Sequence, residues 1–165
     1  NMQKVLKVCH DFVDNFDNTF SNLLFIGQTG VGKTFLSNCI ARALMDSCHS
    51  IIYLTAGEFF DSFKSDDFKE FGSSKFDTSF FVECDLLIID DLGTEKASDY
   101  NFSNLFNTIN ERLLRRKSII ISSNLKMPDI ETRYSQRIFS RLVSAYSNFK
   151  TLWRWYPLYE EIITN

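Results

Sequence analysis

Two short stretches carry residue types whose spacing suits phosphate chemistry. The first is GQTGVGKT, residues 27–34. It matches G-x-x-x-x-G-K-[ST] at every fixed position, follows an apolar run and opens a helical pattern. Gly27, Gly30 and Gly32 permit the backbone turns that crowd amide N–H groups around one point. A helix starting near Gly32 aims its positive end at the same place. Lys33 supplies a mobile point charge for β- and γ-phosphates, and Thr34 supplies a hydroxyl for Mg²⁺. Gln28, Thr29 and Val31 complete the loop and Phe35 follows it, so residues 27–35 form the expected nucleotide-binding set.

The second stretch is LLIIDD, four apolar residues ending in Asp90 and Asp91. An acidic pair at a strand end is by itself an ordinary, solvent-facing feature. Beside a phosphate loop it gains a use. Asp90 is expected near the Mg²⁺ shell, a metal site shared with Thr34. Asp91 is expected to reach the water that attacks the γ-phosphate and to act as its general base. Two weaker signals follow. Ser122, Ser123 and Asn124 close the run SIII, where a polar side chain at a strand tip can orient that water or form a plain turn. In SQRIFSRL, Arg137 and Arg141 are four apart and share a helix face. Arg137 reads as a solvated arginine. Arg141 reads as a finger completing a neighbouring subunit's site.

These residues need elements to hold them. NLLFIG, SIIYLTA, DLLIIDDLG and SIIISSN read as buried strands, and a last strand is expected around residues 151–155. Helical patterns alternate with them. QKVLKVCHDFVDNF places Val5, Val8, Cys9, Phe12, Val13 and Phe16 on one face, and KTFLSNCIARALMD lines its inner face with Leu36, Ile40, Ala43 and Leu44. ASDYNFSNLFNTINERLLRRK turns Phe102, Leu105, Phe106, Ile109 and Leu113 inward. Arg115, Arg116 and Lys117 sit in its last turn, where cations suit the dipole. A short helix entered at Pro128 and a second helix over SQRIFSRLVSAY are expected. The segment from Glu58 to Phe81 suggests one or two short helices around a charged connection. The alternation argues for an α/β fold, a parallel five-stranded sheet flanked by helices, as one domain over residues 1–165 with an N-terminal helix at 1–17. Both GQTGVGKT and the Asp90–Asp91 pair then lie at strand carboxyl ends, where such sheets gather their chemistry.

Bulk properties exclude some functions. The 165 residues carry a net charge of −3, so no global positive field recruits nucleic acid. The 17 Phe, spread singly and in pairs, read as core filler. Cys9, Cys39, Cys48 and Cys84 form no C-x-x-C pair, and the Cys9-His10 and Cys48-His49 dipeptides lack zinc-ligand spacing. Free thiols, no membrane-length apolar run and no signal peptide lead to an expected cytoplasmic location. An opening on Asn1 rather than Met suggests a piece of a longer protein.

The order GQTGVGKT, LLIIDD with LGTE, IIISSN and RIFSRL resembles the AAA+ ATPases, and more narrowly the DnaC/DnaI-type helicase loaders and IstB-like ATP-binding proteins. The resemblance covers residues 22–152. It implies ATP/ADP and Mg²⁺ as cofactors, ATP hydrolysis, side-by-side self-association through Arg141, contact with single-stranded DNA and delivery of the hexameric replicative helicase. By resemblance Lys33 and Thr34 are Walker A contacts, Asp90 and Asp91 the Walker B pair, Asn124 the first sensor and Arg141 the arginine finger. The second Walker B acid is Asp91 where many relatives carry Glu, one methylene longer. The family's N-terminal helicase-contacting domain and a C-terminal helical lid are expected to be absent from the chain, and the ending RWYPLYEEII is unlike the family's. For DNA, Lys64, Lys69 and Lys75 interleave with Phe63, Phe68 and Phe71, but Asp61, Asp66, Asp67 and Glu70 lie among them. An IstB-like transposition helper shares the same residues. A small-molecule P-loop kinase would need an arginine-bearing lid, and the one arginine cluster, Arg112 with Arg115 and Arg116, closes a helix instead. A passive nucleotide-binding scaffold remains open through Asp91. No N-K-x-D motif supports guanine recognition.

Overall fold

Four largely apolar runs of five to seven residues and the four-residue FKTL become the strands of one parallel sheet. The structure, a computed structural model, describes residues 2–64, 77–144 and 149–152, with side chains up to Tyr134 and at Ile138. In chain order the elements are α1 (Met2–Asp14), β1 (Asn22–Ile26), α2 (Lys33–Asp46), β2 (Ile51–Thr55), α3 (Ala56–Lys64), α4 (Phe80–Glu83), β3 (Leu86–Leu92), α5 (Asp99–Leu114), β4 (Ser118–Ser123), α6 (Met127–Ser144) and β5 (Phe149–Leu152). The spatial order is β2-β3-β4-β1-β5.

Successive strand residues point to opposite faces, and this period of two divides the core into two layers. Leu24, Leu87, Ile89, Ile119 and Ile121 face Phe59, Phe60, Phe81, Leu105, Ile109, Ile130 and Tyr134 from the helices α3 to α6. Leu23, Phe25, Leu86, Ile88 and Ile120 face Val5, Cys9 and Phe12 of α1 and Leu36, Ile40, Ala41 and Leu44 of α2. Helices therefore cover both faces, and β1, β3 and β4 are buried on both sides. The expected five-stranded parallel sheet is the observed one.

β5 begins at Phe149, two residues before the expected start at 151, and four further details differ from the sequence reading. β2 is half-buried rather than buried, because it stands at the sheet edge with β3 as its neighbour. Ala41 rather than Ala43 lies in the α2 core stripe. The two helices expected around Pro128 and Ser135 are one continuous α6. Pro128 sits in its first turn, where the missing N–H costs nothing, and no breaker follows. Phe35 and Phe80 are exposed, so not every Phe is core filler. Lys69, Lys75, Phe68, Phe71, Asp66, Asp67, Glu70 and the ending RWYPLYEEII fall outside the described residues. Among those described, all four cysteines are free, no cluster of His, Cys, Asp or Glu forms a metal cage, and no helix is long and apolar enough to cross a membrane.

Arg112 staples the end of the sheet opposite the strand carboxyl termini. It is fully buried on α5. Its NH1 donates to the carbonyls of Phe81 at 2.7 Å and Cys84 at 3.0 Å, and its NH2 donates to those of Asp85 at 3.1 Å and Ser118. One side chain thus closes α4 and the starts of β3 and β4. Asp85 extends the staple, accepting from Lys117 Nζ at 2.7 Å and from Ser50 N–H at 3.0 Å. Replacing Arg112 with Met keeps the stem and strands four carbonyls, three buried and that of Asp85 partly so. Arg112→Met should lower unfolding free energy by about 3 kcal/mol or more, read as a drop in the urea midpoint; an unchanged midpoint would mean the carbonyls find other donors.

Candidate nucleotide site

The phosphate loop joins β1 to α2. Gly30 and Gly32 lie at φ +85° and +95°, conformations that L side chains rarely adopt. Gly32 is also the N-cap of α2 and has no side chain to satisfy the helix's first amides, and the first turn carries no acid. The leading N–H groups of α2 are therefore left for an external acceptor, at the positive end of the dipole. Such an uncapped helix start suits an anion.

Lys33 opens α2 and is 5% exposed. Its ammonium donates to the carbonyls of Gly27 at 2.9 Å and Gln28 at 3.1 Å and to Asn124 Oδ1 at 2.6 Å. Burial pushes its pKa below the ordinary lysine value, while the charges of Asp91 and Asp90 pull it back up. Gln28, Thr29, Gly30, Thr34 and Phe35 are exposed along the rim, and Val31 is half-buried with its methyl against Gly27. Phe35 is 69% exposed, an apolar ring left uncovered beside the loop.

The sheet order places β3, β4 and β1 side by side, so their carboxyl ends bring three segments together. Asp90, 4% exposed, is the fifth residue of β3. Its Oδ2 accepts from the Tyr53 hydroxyl at 2.8 Å, and its Oδ1 accepts from the Ser122 hydroxyl and, at 3.2 Å, from the Asp91 N–H. Burial and the bond to Asp90 push the Tyr53 phenol well above its usual range, so it remains a donor.

Asp91 poses a parity problem. Adjacent residues of a regular strand face opposite sides, so two consecutive carboxylates cannot serve one site. The structure solves it with an irregularity in the β3–β4 ladder between Ile89 and Leu92 and with Asp91 at φ +57°. Asp tolerates the left-handed region better than most residues. The Asp91 N–H donates to Ser122 Oγ at 2.9 Å, and its Oδ1 accepts from Asn124 Nδ2 at 3.2 Å. Asn124 thus bridges Lys33 and Asp91 with the two ends of one amide.

Lys33, Asp90, Asp91 and Asn124 therefore meet at one place, beside the free amides of α2. Thr34 carries a hydroxyl and Asp90 a carboxylate, oxygen donors of the kind that would hold a Mg²⁺ ion. Two protein oxygens suit this ion, which keeps waters and takes phosphate oxygens for the rest of its shell. Arg137 and Arg141 lie on α6, but their side chains are outside the described residues. Sequence reasoning missed Tyr53, a polar end in an otherwise apolar strand, and gave Ser122 no role of its own. It quoted LGTE without giving Glu95 a role.

Residues 4–141 match the protein family described as IstB-like ATP binding protein. Among curated proteins, the phage-like element PBSX protein XkdC of Bacillus subtilis (strain 168) is 28% identical over 135 residues, which is 78% of this chain and 49% of that protein. The replicative helicase loader DnaC of Escherichia coli (strain K12) is 23% identical over 138 residues, 83% of this chain and 56% of that protein. The chain spans about half the length of these curated relatives. The crystal structure of the DnaC helicase loader superposes with a TM-score of 0.76 at 23% identity, covering 91% of this chain and 88% of that one, a likeness of fold. With its phosphate loop, acidic pair and sheet order in place, the chain belongs to the IstB-like ATP-binding protein family and has the fold of an AAA+ ATPase domain.

Proposed function

We propose that the chain is the ATP-hydrolysing module of a cytoplasmic DNA replication factor, one that loads the hexameric replicative helicase onto single-stranded DNA. The observation that carries the ATPase part is the Lys33–Asn124–Asp91 chain beside the uncapped start of α2. A γ-phosphate entering there would take the place of Asn124 on Lys33, and Thr34 and Asp90 would hold a Mg²⁺ ion, which would supply positive charge to the phosphate oxygens. Asp91 then accepts a proton from the attacking water while Asn124 holds the geometry. Arg141, on α6, serves the site of a neighbouring subunit, so turnover depends on assembly. The loader assignment draws on the likeness to the DnaC loader in sequence and fold. A transposition helper is the second reading, favoured by the IstB-like family match itself. Against a kinase lid stands Arg112, the first of the arginine cluster, which is fully buried among carbonyls.

Lys33→Ala should abolish binding of a fluorescent ATP analogue; retained affinity would place the phosphates elsewhere. Asp91→Asn should bind ATP like the wild type and lose turnover by about a hundredfold or more. Loss of binding instead would make Asp91 a ligand rather than a base.

The loader reading is tested by Mg-ATP turnover per subunit against protein concentration, with and without single-stranded DNA. Specific activity should rise with concentration, DNA should shift the curve, and Arg141→Ala should flatten it without weakening ATP binding to isolated subunits. A flat wild-type curve indifferent to DNA refutes the shared site.

A further inference from the structure

Four residues past Asp91, Glu95 has a carboxylate that the chemistry above does not use. Its side chain is 3% exposed. Oε2 accepts from the Gly93 N–H at 2.8 Å, and Oε1 accepts from the Tyr134 hydroxyl and from Arg133 Nε at 3.3 Å. Arg133 also donates through NH2 to the backbone carbonyl of Glu95. The turn behind the acidic pair is therefore pinned to α6 through both its side chain and its backbone. Tyr134 is itself fully buried, its ring edge-on to Phe102 at 5.3 Å.

The same turn has no slack toward the site. Thr94 Oγ1 donates to the Asp91 carbonyl at 3.0 Å, and Ser123 Oγ donates to the Leu92 carbonyl. Gly93 lies at φ +110°, and a Cβ there would stand 2.6 Å from Leu125 Cδ1, in the residue after Asn124. Burying a carboxylate is costly unless a cation and further donors compensate it. Filling this space with an apolar side chain would hold α6 in place without that cost, but it would not fix the direction of the turn.

We propose that Glu95 is a positioning residue that locks the turn behind Asp91 to α6, so that the acidic pair and the helix bearing Arg141 keep one fixed relation. The inference rests on the reading of Asp91 as base and of Arg141 as a residue acting across subunits. Position 141 lies eight residues beyond Arg133, about 12 Å along the same helix. A change in the path of the Asp91 turn is therefore carried along α6 to the interface, and the reverse holds as well. The Glu95 carboxylate is taken up by Gly93, Arg133 and Tyr134, so it acts through the turn that carries Asp91.

The test compares wild type, Glu95→Gln, Tyr134→Phe, Arg141→Ala and the Glu95→Gln/Arg141→Ala pair. Fluorescent-nucleotide affinity is measured on dilute subunits, and kcat and KM for Mg-ATP on the assembled full chain. Glu95→Gln keeps the shape and removes the charge facing Arg133. It should leave nucleotide affinity and KM unchanged and lower kcat by about tenfold to a hundredfold. Tyr134→Phe should show a smaller loss of the same kind. Adding Arg141→Ala to Glu95→Gln should lower kcat little further, since both losses act on one geometry. A Glu95→Gln protein with wild-type kcat overturns the inference, as does a pair whose losses multiply. If Glu95→Gln does not fold, Tyr134→Phe at full kcat overturns it alone. A wild type that binds ATP and never turns it over, or an Arg141→Ala protein of full activity, removes the underlying reading and this inference with it. An active wild type with an active Glu95→Gln removes this inference only.

Discussion

A lysine ammonium held almost entirely out of water sets the terms for the nucleotide site. Lys33 must find oxygen partners or lose its charge, since burial alone lowers its pKa. Two of its partners are carbonyls of its own loop, and the third is Asn124, beyond the end of β4. The loop is thereby tied to the neighbouring strand, and Gly27 N–H adds a bond of 3.2 Å to the Ser123 carbonyl. The glycines at positive φ bend the loop far enough for those two carbonyls to point back at Lys33. The sheet order, with β4 between β1 and β3, brings Asn124 within reach of both the cation and Asp91.

The acidic pair meets a constraint of a different kind. A strand alternates its side chains, so LLIIDD ought to send Asp90 and Asp91 apart. The irregular ladder and the left-handed Asp91 turn the second carboxylate toward Asn124 at a backbone cost of about 1–3 kcal/mol. Ser122 meets part of that cost. Its hydroxyl donates to Asp90 and accepts from the Asp91 N–H at 2.9 Å, a shorter bond than the 3.2 Å one that this N–H makes to Asp90 Oδ1. Asp is shorter than Glu by one methylene, and here the backbone rather than the side chain supplies the reach.

How much of this was legible in the sequence follows from the range of the interactions. GQTGVGKT is local: its glycines, its lysine and the helix it opens lie within one turn, so the string carries its own geometry. The strands were legible because apolar runs separated by helical patterns leave few topologies. The edge position of β2 was not, because it depends on strand order rather than on composition. Tyr53 and Glu95 escaped notice for a related reason. Tyr53 meets Asp90 across 37 positions and Glu95 meets Tyr134 across 39, and no spacing rule spans such distances. Arg112 was read with Arg115 and Arg116 as a cluster closing a helix, whereas helical periodicity turns Arg112 inward with Leu105 and Ile109 and leaves Arg115 and Arg116 exposed.

Arg112 and Lys33 are two buried cations at opposite ends of one sheet, and the contrast between them separates structure from chemistry. Every oxygen on Arg112 is a backbone carbonyl of a strand start or helix end, none of which can leave without unfolding its element. Its guanidinium is held in a fixed fork and has no path to solvent. Lys33 has one partner of another sort, the side-chain amide of Asn124, an exposed residue beyond the end of β4. Beside it stand helix amides that no residue caps. An incoming anion would therefore find a cation with a replaceable partner and donors without acceptors at one end of the sheet, and at the other a guanidinium whose two terminal nitrogens are taken by backbone carbonyls. Burial alone did not mark the site. What marks it is burial combined with a bond that can be exchanged.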